Sequence, residues 1–167
     1  MLVGGAVAAV LLLNGGNDDA AGGAARSSTS SRSPTTESAA VPTGAPGAAV
    51  AVGDLQVAVT GTETVPNLSG MTPVNGEFFI VHLTVRNQGG SSATYLASLQ
   101  HLVAGDMTYQ GSAGAAVHLE NGFMPSIPPG DQIRTAIAFD IPPNVDPTAF
   151  EFDNDLLDGG GVQVPLR

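Results

Sequence analysis

Two groups of residues in this chain have types that do chemistry. One is the acidic run Asp153-Asn154-Asp155-Leu156-Leu157-Asp158-Gly159, and the other is the set of three histidines, His82, His101 and His118. Carboxylates one residue apart ahead of a glycine offer the hard oxygen ligands that calcium takes, which makes Asp153, Asp155 and Asp158 its candidate ligands. The spacing fits poorly. The third acid stands one position too late, and Val164 occupies the twelfth position, where a bidentate glutamate closes such a loop. The run therefore reads first as a solvated acidic hairpin loop.

Three imidazoles on three strands could converge on zinc or copper. No spacing in the sequence enforces that convergence. His82 shares a strand face with Thr84 and Arg86, an ordinary surface position, and His118 is placed to pair with Glu120 on its own strand face. Independent surface or half-buried histidines are the expectation. Hydrolytic chemistry lacks its parts as well. There is no G-x-S-x-G elbow, Gly111-Ser112-Ala113-Gly114 reads as a loop, and Asp140 and Glu151 sit near strand ends where exposed charges belong. Tryptophan, the usual sugar platform, is absent. The sequence thus names no catalytic residue, cofactor or metal.

Charge and composition narrow the classes further. The formal net charge is −10, carried with five arginines and no lysine. Such a chain repels phosphate backbones, which argues against nucleic acid, and its domain surface has the wrong sign for anionic lipid headgroups. No cysteine is present, which removes disulfides, thiolate metal sites, cysteine nucleophiles and a lipid-modified cysteine anchor.

The elements that must position any site are short strands. The central one is Gly76 to Asn87, with Phe79, Val81, Leu83 and Val85 on one face and Phe78, Ile80, His82, Thr84 and Arg86 on the other. This pattern predicts a strand buried on one side throughout and on both sides at its start. Asp54–Thr62 alternates likewise, and Thr64–Asn75, with two prolines and a glycine, reads as a loop. Short apolar pieces follow at Ala93–Leu96, Leu99–Val103 and Met107–Tyr109, with a weaker strand candidate at Ala115–Leu119. The run Ile133–Ile141 is a clear strand stopped by Pro142-Pro143, and Phe150–Phe152 and Val162–Leu166 close the domain. The turn signals and the lack of any extended helical period predict an all-β, antiparallel sandwich over residues 51–167.

All eight aromatic residues lie from Phe78 onward, six phenylalanines and two tyrosines. The first fifty residues hold none and divide in two. Residues 1–13 are an uncharged apolar run that would span about 20 Å as a helix, short of the roughly 30 Å hydrocarbon core. This is expected to be a membrane anchor completed by upstream basic residues, or the core of a cleaved export signal. Residues 14–50, rich in Gly, Ala, Ser, Thr and Pro, predict a disordered linker, whose ~5–6 Å × √n reach sets the domain roughly 30–35 Å away.

Four segments together resemble a known family: Val52-Gly53-Asp54-Leu55-Gln56-Val57-Ala58-Val59; the Gly76–Asn87 strand; Pro129-Gly130 ahead of Ile137-Ala138-Phe139-Asp140-Ile141-Pro142; and Phe150-Glu151-Phe152. This combination resembles the immunoglobulin-like domain of unknown function found in exported and lipid-anchored proteins of actinobacteria and firmicutes. The family shares its fold with a small secreted mycobacterial antigen. The resemblance covers about 115 residues. It implies an immunoglobulin-like fold and an extracytoplasmic location, and it carries over no catalytic residue. The chain departs from the family's lipoproteins in having no lipobox cysteine, so a single-pass anchor with the domain outside is expected, with secretion as the alternative. The expected function is a non-catalytic module binding an unknown protein or envelope component, with Met71, Phe123 and Met124 on the contact loops. The competing reading is an exported metal-dependent or hydrolytic enzyme using the histidines or the acidic loop.

Overall fold

The computed structural model describes residues 47–154 and 161–167. The anchor at 1–13, the linker up to residue 46, and Asp155 and Asp158 lie outside the described residues. Val50, placed at the end of the linker by composition, instead opens the first strand.

Among the described residues ten strands run in chain order: β1 (Val50–Val52), β2 (Leu55–Val65), β3 (Glu77–Asn87), β4 (Ala93–Thr94), β5 (His101–Ala104), β6 (Met107–Gln110), β7 (Ser126–Ile127), β8 (Gln132–Ile141), β9 (Ala149–Phe152) and β10 (Val162–Pro165). They form two four-stranded antiparallel sheets, ordered β1-β2-β3-β8 and β10-β9-β5-β6, with β4 and β7 as a separate pair. This is the antiparallel sandwich that the alternating patterns predict, with the immunoglobulin-like fold that the family resemblance implies. The loop after β2 starts later than the sequence suggests: Thr64 and Val65 still pair, with Phe79 and Phe78.

The core lies between the sheets. Leu55 and Val57 of β2, Val81, Leu83 and Val85 of β3, and Ile137, Phe139 and Ile141 of β8 meet Leu102 of β5, Phe150 and Phe152 of β9, and Tyr95. Edge-to-face contacts link Tyr95 to Phe152 (5.3 Å), Phe139 to Phe150 (6.1 Å) and Phe150 to Phe152 (6.2 Å). Such pairs each add about 0.5–1.5 kcal/mol beyond the area they bury.

β3 is buried on both faces at its start, as its sequence requires. Phe78 and Ile80 point away from the main core into a second cluster with Ala115, Ala136 and Ala138. Their cover is a short helix, α1 (Ala113–Ala116), and the turns after it. The Ala115–Leu119 segment is therefore helix and turn, not strand. Ser112 supplies the helix N-cap, its hydroxyl accepting from the Ala115 amide, and small alanines let the turn lie flat on the sheet.

Two buried amides fix the chain between elements. Asn87 donates through Nδ2 to the carbonyls of Ser91 and Ile127 and accepts from the Gly89 amide. Gln100 donates to the carbonyls of Leu96 and Asp153 and accepts from the Asp153 amide, which pins the end of β9 to the entry of β5. Where β6 leads into α1, Gly111 bridges to Phe139, and a Cβ there would stand 2.0 Å from the Ala97 carbonyl oxygen. Gly111→Ala is expected to destabilise the domain by about 2–4 kcal/mol, read as a lower midpoint in chemical denaturation with an unchanged slope.

Candidate functional site

The structure keeps the three histidines apart. His82 lies on the outer face of β3, His101 at the start of β5 in the opposite sheet, and His118 in the turn that follows α1, so the strand-face pairing with Glu120 does not form. Among the described residues no three or more His, Asp or Glu side chains come close enough to hold a metal ion. His82 instead bonds Glu63 at 2.8 Å, an exposed diagonal pair across β2 and β3. The Asp140 carboxylate accepts from the amides of Val74 and Asn75 at 2.6 and 2.8 Å. It holds the loop ahead of β3. Glu151 accepts from Gln163 across the β9–β10 ladder. The backbone of Asp153 is engaged by Gln100.

The contact residues fare differently from one another. Met71 forms an isolated bridge with Leu68 and packs half-buried against the second cluster, so it is not displayed. The reason is the outward pair Phe78 and Ile80, which draws any nearby apolar side chain over itself. Phe123 and Met124 are displayed, at 48 and 56 % exposure, and Val117 joins them at 62 %. These three, with Ala116, Leu119, Asn121, Gly122 and Pro125, line a cavity of about 280 Å³ on the cap formed by residues 111–125. Val117 was legible only to the extent that the helix was: on a strand it would have alternated inward, and the turn of α1 sends it out.

A hydrogen-bond relay fastens this cap. Buried Tyr95 donates to Thr135 Oγ1 at 2.6 Å, and Thr135 donates to the Asn121 carbonyl at 2.8 Å. Asn121, in the left-handed region at φ 51°, returns a bond from Nδ2 to the Arg134 carbonyl. The Ser112 amide donates to Ala138, closing the other end.

A second concave region lies on the outer face of the β1-β2-β3-β8 sheet. It is a cavity of about 430 Å³ lined by Thr60, Gly61, His82, Leu83, Thr84, Arg134 and Thr135. A neighbouring hollow of about 280 Å³ shares His82, Arg134 and Thr135 and adds Leu119, Glu120 and Ala136. The register shift between Val59 and Gly61 lifts Thr60 out of the ladder and leaves a glycine on the floor.

The fold and the surface together define a class: an antiparallel immunoglobulin-like sandwich that carries a fastened loop cap. Residues 45–162 match the Domain of unknown function (DUF4352), and the chain belongs to that family. Solved structures of similar fold include a secreted protein of Mycobacterium tuberculosis, MPT63, with TM-score 0.58, 21% identity, and coverage of 75% of this chain and 98% of that one. The yjhA protein of Bacillus subtilis gives TM-score 0.55 at 15% identity, over 74% of this chain and 98% of that one. An uncharacterized β-sandwich protein of Clostridium difficile gives 0.54 at 11% identity, over 81% and 100%. No curated protein matches the chain. No helix among the described residues is long and apolar enough to cross a membrane.

Burial pushes the Tyr95 phenol up to about 12, with the bond to Thr135 opposing the rise. The folded state therefore holds this proton where the unfolded chain releases it. Stability from Tyr95 is intact below pH 10 and is lost as pH rises toward about 12. Relative to Tyr95→Phe, the protein is expected to lose roughly 1.4 kcal/mol per pH unit across that window. Denaturation midpoints of the two proteins between pH 9 and about 12 give the difference directly.

Proposed function

We propose that this protein is a non-catalytic module displayed outside the cytoplasm, and that its cap binds a protein surface or other component of the cell envelope. The observation that carries the proposal is the display of Val117, Phe123 and Met124 side by side on a cap that the sheet holds in place. Large apolar side chains gathered on a fixed loop mark contact surfaces, and fastening the loop beforehand lowers the ordering entropy that binding must overcome. Protein partners suit the patch best, because only an apolar counterpart gains by covering it. The secreted MPT63 among the proteins of similar fold supports a location beyond the membrane. The apolar residues 1–13 and the polar residues 14–50 support a tether in that setting, with release into the medium as the other form.

Two measurements test this. Replacement of Phe123 by a photo-reactive phenylalanine analogue should give one discrete adduct in intact cells, and Met124→Asp should abolish it while changing stability by less than about 1 kcal/mol. Adducts that survive Met124→Asp, or a diffuse ladder, would refute a specific patch. Fractionation with an intact-mass reading should find the protein in the membrane pellet with the apolar run retained. Recovery in culture fluid, cut after that run, would replace the tether by secretion.

A further inference from the structure

The concave region on the outer sheet face is separate from the cap patch and has a different chemistry. In a chain of net charge −10, it is lined by one arginine, Arg134, together with His82 and the hydroxyl residues Thr60, Thr84 and Thr135. Three arginines lie among the described residues. Arg167 pairs with Asp146, whereas Arg86 and Arg134 have no carboxylate partner among the described residues. These two are diagonal neighbours on one face, because Thr84 pairs with Arg134 and Arg86 with Gln132 across β3 and β8. Side chains on that diagonal lie within reach of one another.

We propose that this face binds a compact hydroxylated oxyanion, a sugar acid or sugar phosphate, with its charged group seated on Arg134 above Gly61. The arrangement supplies each contact such a ligand needs. The Arg134 guanidinium offers a planar fork of donors for a carboxylate or phosphate, and Thr60 and Thr84 line the same cavity. His82 forms the wall between the two hollows, and its Nε2 is held by Glu63 at 2.8 Å, which fixes the ring. On the far side of Arg134, Glu120 lines the adjoining hollow, an acceptor for the hydroxyls of the same ligand. The raised Thr60 and the bare Gly61 provide the depth. A Cβ at Gly61 meets nothing within 4 Å, so the space above it is open and unclaimed by the fold. Glu63, bonded to His82, and Glu120 are the carboxylates beside the site and oppose the anion there, whereas those beyond the Debye length of about 8 Å are largely screened at physiological salt.

The test uses the isotopically labelled full chain, titrated by NMR with glucuronate, glucose 6-phosphate and, as neutral control, glucose. The two acids should give saturable amide shifts centred on Gly61, His82, Thr84 and Arg134, weakening as salt is raised, and glucose should give none. Arg134→Gln removes the charged fork while keeping the backbone carbonyl that Asn121 uses, and should weaken binding about tenfold or more. Gly61→Leu fills the open space at an exposed, unstrained position and should block binding with the fold intact. A polyuronate chain in place of the monomer identifies the source: tighter binding per acid group assigns the site to an envelope polymer, and equal binding assigns it to a free acid. Absence of saturation with both acids, equal binding of glucose, or unchanged shifts in Arg134→Gln would overturn the proposal.

Discussion

The constraint on which the molecule turns is the outward burial of Phe78 and Ile80. A sheet in a two-layer sandwich has one dry face, and these residues stand on the other one. Leaving two such side chains in water would cost about 1.5–3 kcal/mol each, so the chain must return to cover them. Residues 111–125 make that return, with Leu68 and Met71 closing in from the other side. The cap is thus a consequence of two residues on β3. Its turns then place Val117, Phe123 and Met124 in solvent.

The same constraint shapes the rest of the outer face. The apolar cover reaches only as far as Ala136, beyond which β3 and β8 carry His82, Thr84, Arg86 and Arg134. A step forms where the cover stops, and the bulge in β2 lowers the floor beside it. Dry packing, an edge and an open polar hollow follow one another along a single sheet face. Polarity along β3 rises in the same order in the sequence itself.

Most of the framework was legible because period-two alternation is a strong signal in long strands. β3 and β8 carry it over ten or more residues, and the double burial at the start of β3 could be read from Phe78 and Ile80 alone. The helix α1 could not, since four small residues have no period to display and Ala-Ala-Val suits a strand as well as a turn. Met71 looked displayed because loop residues usually are, yet its partner is a strand face that only pairing brings near. Phe123 shows the opposite case, an aromatic whose loop carries it outward. The concave region was invisible for a different reason. Its members come from β2, β3 and β8 and from the turn after α1, and nothing in their local sequence announces the register that gathers them.

The way the cap is held has a consequence for how this architecture can diverge. Tyr95 and Thr135 grip a main-chain carbonyl at Asn121, and the Ser112 amide meets a main-chain carbonyl at Ala138. These attachments grip the peptide backbone, so the side chains at positions 117, 123 and 124 are free to be exchanged without loosening the cap. A lineage can therefore rewrite its outer vocabulary while the grammar beneath stays fixed.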